Sequence, residues 1–369
     1  LTLFTQDPRL KTQDYISDKS SYFAGFHQAT KVLQAKSKKT APVVAVVGGG
    51  SWATALVKIL SEGNVQIRWW LRNATDVEHI QKYGHNPGYL SDVQINRRKV
   101  RTFHQIPEAL DGTTHVIVAV PAAFVQDAMR EARPEHLAGR TVVSAIKGLI
   151  PDRHLLITDW IEQAFGVPQA NLCVIAGPCH AEEVALEKQS YLTIASANLA
   201  CAAAFAELLN CRFLQACAID DVYGVEYCAI MKNIIAMACG ITHGLNYGDN
   251  FQAVLVSNAM QEIKRFLDKV RPLPRDLMAS AYLGDLLVTA YSQFSRNRTF
   301  GNMIGRGYSV KSAQVEMNMI AEGYYAAKSI HAINQEHRVE MPITETVYRI
   351  LYEKTPPTTA VQALKAKLR

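Results

Sequence analysis

The chain has 369 residues, 49% apolar and 20% charged, which fits a soluble globular protein of two or three domains whose core needs no disulfide staples. No apolar run approaches the roughly 18 residues of a spanning helix, and LTLFTQDPRLK lacks the flank and cleavage site of a signal peptide. A cytoplasmic-type chain without a membrane span is expected, and the net charge of +6 sits largely in residues 1–40, so nucleic acid is not expected as a partner.

Residues 1–40 read as an extension ending in a Lys-rich run before Pro42. Order begins at VVAVV (43–47), a β-branched run of the kind found in strands buried on both faces of a parallel sheet. Gly48, Gly49 and Gly50 follow, and a helix is expected from about Ser51–Trp52 to Gly63. Further strands are expected in VQIRWWL (65–71), HVIVAVP (115–121), TVVSAIKG (141–148) and NLCVIAGP (171–178), with helices between most of them. After about residue 218 the segments carry helical periodicity, so the expected architecture is a Rossmann-type α/β domain with a mostly parallel sheet over 41–218, followed by an all-α domain over 219–369.

Gly48, Gly50 and Ala53 stand at the spacing of the dinucleotide fingerprint, between a buried strand and a helix. In that context the first glycine makes the tight turn, the second admits the pyrophosphate, and the small third residue lets helix and strand pack. The helix N-terminus then offers free N–H groups to the phosphates. About 20 residues on, where a carboxylate would take the adenosine ribose, the chain has Trp70-Leu71-Arg72-Asn73. Arg72 suits adenine stacking or a 2′-phosphate, so both NAD and NADP are compatible.

Lys232 shares a helix face with Val225, Ala229 and Ala236. A lysine there either has its pKa pushed toward the range useful for proton transfer or snorkels to solvent. Asp285 reads as a helix-start carboxylate held by the helix dipole, and Ser295-Arg296-Asn297-Arg298 as a donor-rich cluster suited to an oxyanion. The seven cysteines form no CxxC and read as free buried thiols, Cys179 alone lying in a loop-like segment near a site. No metal-ligand spacing is present in the sequence.

Taken in order, these segments resemble the NAD(P)-dependent glycerol-3-phosphate dehydrogenase family over about residues 43–353. The matching pieces are Gly48 to Leu56, Asn86-Pro87, Val120-Pro121, Lys147-Gly148, Ala176 to Val184, Lys232-Asn233, Gly248 to Asn250, Leu283-Gly284-Asp285, Ser295 to Arg298, Phe300-Gly301, Ala321-Glu322-Gly323 and Met341 to Glu345. The resemblance implies reversible hydride transfer between NAD(P)H and dihydroxyacetone phosphate, giving sn-glycerol 3-phosphate for phospholipid synthesis, in a cytoplasmic homodimer without a metal. It makes Lys232 the acid/base and places Asp285 on the lysine and the substrate. It puts Lys147, Gly177, Cys179, Asn233, Ser295, Arg296 and Asn297 around the substrate. For the cofactor it implies Gly48, Gly50, Ser51, Trp52, Arg72, Lys147, Ala181, Arg296 and Glu322. Cys179-His180 departs from the family's Ser-Phe, Tyr282 stands where a Gly precedes Leu-Gly-Asp, Asn258-Ala259 replaces a frequent Arg-Gly, and Ala53 replaces a Gly.

Overall fold

The computed structural model describes residues 41–317 and 321–369; the extension expected over 1–40 lies outside them. Eight strands form one sheet: β1 Val43–Val47, β2 Gln66–Trp70, β3 Val100–Phe103, β4 His115–Val118, β5 Thr141–Ser144, β6 Leu172–Ala176, β7 Ser190–Ala195 and β8 Leu214–Ile219. Their order is β3-β2-β1-β4-β5-β6-β7-β8. All neighbours pair parallel except β6 with β7, whose antiparallel pairing sets Ile175 opposite Ile194. Through β6 this is the dinucleotide-binding order, which reverses direction between β1 and β4.

The apolar run of β1 has a direct structural cause. Successive strand side chains point to opposite faces, so Val44 and Val46 enter one core while Ala45 and Val47 enter another across the sheet. The helix Ser51–Glu62 (α1) covers the first of these faces, contributing Ala55, Leu56, Ile59 and Leu60.

After β8 every described element is helical. The 23-residue helix Val222–Gly244 (α2) runs through the middle of this part, with buried residues on all its sides. By length and hydropathy it could cross a membrane, yet its apolar stretch is buried inside its own chain, as a core helix is. Around it lie Asp285–Tyr291 (α3), Arg296–Gly305 (α4) and Glu322–His337 (α5). Packing of α2 on α4 demands glycine on both sides. A Cβ on Gly240 would lie 2.1 Å from the Arg298 carbonyl oxygen, and one on Gly301 would lie 2.2 Å from that of Met237. With the backbones this close and running parallel, the first turn of α4 lies beside α2 near Asn233. The N-terminus of α5 meets the same place, where a Cβ on Gly323 would come within 2.6 Å of the Asn233 carbonyl oxygen.

All seven cysteines are free, but the expectation that they are buried needs correction. Cys173, Cys179, Cys228 and Cys239 are buried, Cys201 and Cys211 are half-buried, and Cys217 is exposed on the edge strand β8.

Candidate active site

A cavity of about 980 Å³ opens at the carboxyl ends of β1, β2, β4 and β5, where the strand order reverses, and is closed from the other side by α2, α4 and α5. Its floor at the first strand is a locked glycine loop. Gly48 has φ +141°, and a Cβ there would meet the Ala119 carbonyl oxygen at 2.3 Å, so only glycine fits. Trp69 Nε1 donates to the Gly48 carbonyl at 2.6 Å, and the buried Asn86 amide donates to the Gly49 carbonyl at 3.0 Å and to Thr54 Oγ1 at 2.8 Å. A Cβ on Gly50, immediately before α1, would meet nothing within 4 Å, leaving open space in front of the helix N-terminus. A helix start fronted by open space is the kind of place where dinucleotide phosphates bind.

The remaining walls bring most of the sequence-predicted residues together. Gly50, Ser51, Trp52, Arg72, Lys147, Cys179, Ala181, Lys232, Asn233, Ser295, Arg296, Asn297 and Glu322 line the cavity. Gly48, Gly177 and Asp285 do not; they stand behind its surface. Gly177, expected on the substrate loop, stands next to Asp285. With φ +118° it directs its N–H to Asp285 Oδ2 at 3.3 Å, so it holds the carboxylate.

Asp285 is the first residue of α3, as its sequence context suggested, but the segment before it changes what that position offers. A π-helical turn, Ser280–Gly284, runs straight into α3, so the carboxylate faces no free helix N-terminus. It is 1% exposed and accepts from Lys232 Nζ through Oδ1, while Lys147 Nζ lies 4.0 Å from Oδ2. Burial pushes the Asp285 carboxyl up, but the two lysines outweigh burial and hold it below its ordinary value. Lys232 is 2% exposed, so it does not snorkel. Burial drives its pKa down and the charge of Lys147 reinforces this, against the opposing pull of Asp285.

Arg296 and Glu322 of the helical wall reach residues on the sheet side of the cavity. Arg296 Nη2 donates to Ser51 Oγ at 2.6 Å, linking the start of α4 to the start of α1. Glu322 Oε1 accepts from the Ala122 N–H at 3.0 Å, whereas its buried Oε2 has no partner. Burial pushes this carboxyl up to about 7, so it can serve as either donor or acceptor near neutral pH. Asn297 Oδ1 accepts from the Gly323 N–H at 2.9 Å, so what it offers a ligand is its amide nitrogen. Asn233 donates to the Lys147 carbonyl at 3.1 Å and thereby fixes the loop that carries that lysine. Lys232 and Lys147 both lie within 4.0 Å of Asp285, and Arg296 also lines the cavity, so cationic donors for an anionic ligand stand on this wall.

Several lining residues escaped the sequence reading. Asp76 lies beyond the tetrapeptide searched for an acid, but the turn into Ala74–Tyr83 brings it to the wall, where Asn73 donates to it at 3.1 Å. Phe124, Arg130 and Phe294 also line the cavity, on loops and short helices whose spacing carries no periodic signal, as does His180, which the sequence marked only as a departure from the family.

Comparison with known proteins agrees with this architecture. Residues 43–202 match the family described as NAD-dependent glycerol-3-phosphate dehydrogenase N-terminus, and residues 221–362 match its C-terminus. The glycerol-3-phosphate dehydrogenase [NAD(P)+] of an Exiguobacterium species is 37% identical over 322 residues, 87% of this chain and 94% of that protein. The Bacillus velezensis enzyme of the same name is 34% identical, covering 88% of this chain and 94% of its own length. The crystal structure of glycerol-3-phosphate dehydrogenase from Coxiella burnetii superposes with a TM-score of 0.82 at 31% identity, covering 88% of this chain and 98% of that one. The chain belongs to the NAD-dependent glycerol-3-phosphate dehydrogenase family.

Proposed function

We propose that the chain interconverts dihydroxyacetone phosphate and sn-glycerol 3-phosphate with NAD(P)H or NAD(P)+, and that its buried Lys232–Asp285 pair moves the proton. The observation that carries this reading is a lysine, lowered in pKa and held by a buried carboxylate, on the wall of a cavity floored by a dinucleotide loop. The dinucleotide, when bound, supplies the hydride. Lys232 Nζ donates its proton to the C2 oxygen as negative charge develops there, and in oxidation it takes that proton back. Asp285 holds the ammonium in place, and Lys147 adds a second positive charge beside the developing alkoxide. Arg296 and the Asn297 amide face the phosphate, Arg296 with the planar fork that suits phosphate oxygens. Gly50, Ser51 and Trp52 take the pyrophosphate side, Arg72 the adenosine side, and Ala181 and Glu322 the nicotinamide side. Cys179, pushed up to about 12 by burial, stays a neutral thiol and is a weak donor to the substrate.

In the cell the favoured direction is glycerol 3-phosphate formation, supplying the backbone of phospholipids, in a cytoplasmic homodimer. Dihydroxyacetone phosphate with NADH or NADPH in parallel, followed by nicotinamide absorbance, tests the reading; consumption of neither overturns it. Lys232→Ala is expected to lower turnover by about 10²–10⁴ while NAD(P)H still binds, as seen by its fluorescence. Unchanged turnover would remove Lys232 from the mechanism.

A further inference from the structure

Away from the cavity, two thiols stand together that the proposed reaction does not use. Val143 of β5 pairs with Cys173 of β6, and Thr141 lies two residues before Val143, so all three point to one face of the sheet. The helix Leu199–Leu209 covers that face, its Ala202 and Phe205 sharing a core with Val143 and Cys173. Its third residue is Cys201, whose Sγ lies 3.8 Å from Cys173 Sγ and 3.5 Å from Thr141 Oγ1. Cys173 is fully buried, whereas Cys201 is half-buried in a helix start whose preceding residues, Ala197 to Ala200, are exposed. A small oxidant entering from solvent therefore meets Cys201 first. The start of a helix favours a thiolate over a thiol. The Cys173 thiol holds Cys201 below its ordinary value, helped by the Thr141 hydroxyl and opposed by partial burial. An accessible nucleophilic sulfur with a second thiol beside it is the arrangement in which oxidation ends in a disulfide.

We propose that Cys201 and Cys173 form a modification site for hydrogen peroxide, closing to an intrachain disulfide that fastens the start of this helix to β6. The Cys201 sulfur attacks one peroxide oxygen and the O–O bond breaks. Cys201 becomes a sulfenic acid, and the departing hydroxide leaves as water with the proton of the Cys201 thiol. The Cys173 sulfur then attacks the Cys201 sulfur, the S–O bond breaks, and a second water leaves with the Cys173 proton. Two thiols are thus oxidised by two electrons while one peroxide is reduced to two waters. The sulfurs close from 3.8 Å to the roughly 2.05 Å of an S–S bond. The bridge joins residues 28 positions apart, around the antiparallel pairing of β6 with β7, and so constrains the unfolded chain. Cys173 is the second residue of β6, and Gly177, which holds Asp285, follows the last, so the bridge acts on the packing of the helix at the far end of the strand.

The test treats the full chain with hydrogen peroxide at neutral pH, alkylates the remaining thiols in denaturant, and maps the peptides by mass spectrometry. The expected product is a Cys173–Cys201 link within one chain, opened by dithiothreitol. The bridged chain is expected to unfold at a higher denaturant concentration than the reduced one. Cys201→Ser is expected to abolish the link and leave Cys173 a free thiol. Cys173→Ala is expected to stop the reaction at the Cys201 sulfenic acid, which dimedone traps. Where that core variant does not fold, the unmodified chain and Cys201→Ser decide the matter. Both thiols still free once the exposed Cys217 has been oxidised overturns the proposal. So does Cys201 oxidised with Cys173 left free, or Cys201 joined to any other cysteine.

Discussion

Lys232 and Asp285 form a pair in which each group changes what the other can do. Burial alone would leave Lys232 neutral and Asp285 protonated; together they hold a charged pair that a nearby Lys147 tips further toward the ionised carboxylate. Asp285→Asn removes the one group that raises the Lys232 pKa, while burial and Lys147 continue to lower it, so Lys232 will give up its proton at a lower pH than before. In the proposed mechanism reduction needs Lys232 protonated, so it loses rate as pH rises through that pKa, and oxidation needs the amine neutral. Its descending limb is therefore expected to move to lower pH in Asp285→Asn, with a rate loss of about 100-fold at neutral pH. Oxidation rises across the same window. Profiles of kcat/KM against pH in both directions check this, and a limb that stays put or moves upward would separate Asp285 from proton control.

At the scale of elements, two helices begin with apolar residues and borrow their caps from elsewhere. The helix Ile157–Phe165 follows Leu156, and its first N–H groups, from Ile157 and Thr158, donate to Glu226 of α2 at 2.9 and 3.3 Å, with Thr158 Oγ1 at 2.6 Å. The helix Pro342–Tyr352 repeats the device: Ile343, Thr344 and the Thr344 hydroxyl donate to Glu262 of the helix Asp249–Val270. Glu226→Ala strands three buried donors and is expected to cost about 2–4 kcal/mol in denaturant unfolding, with Glu226→Gln costing clearly less. Burial raises Glu226 to about 7, so the stability held by its protonated form is present at acid pH and lost as pH rises through 7. The Gln variant is expected to flatten that dependence. Caps of this kind explain part of what the sequence concealed, since the capping residue lies 69 positions from the helix it serves in one case. The central strands were readable because both faces are buried and their residues are nearly all apolar. β3 was not, because it is a short edge strand of alternating burial within a basic stretch, and β8 was not, because its outer edge faces water. β7, though largely buried, joins the sheet by reversing direction on β6, a pairing that periodicity does not encode. In the site, the glycine loop and the lysine helix were legible from spacing. The position of Gly177 behind Asp285 and the arrival of Asp76 at the wall depend on backbone turns between elements, which leave no pattern in the residues.

Over the whole molecule, polar links tie the sheet-based and helical parts together, and among them Arg296 to Ser51 joins the start of α4 to the start of α1. Ser51 stands at the first turn of α1, beside the open space suited to the pyrophosphate, while Arg296 begins the helix that faces the proposed phosphate of the substrate. An arginine shared between two anionic ligands is held by whichever binds first, so the second ligand meets a side chain already ordered and pays less to fix it. Binding of NADH and of glycerol 3-phosphate should then be coupled, and the coupling must be the same whichever is added first. Titrating NADH fluorescence with and without saturating glycerol 3-phosphate is expected to show tighter binding by about 5–20-fold, within the usual range for linked sites. In Arg296→Ala each ligand is weakened and the factor between the two titrations falls to near one. If affinity drops but the factor survives, the two parts communicate through the backbone packing of α2 on α4, where Gly240 and Gly301 leave no slack, and Arg296 serves only as a phosphate ligand.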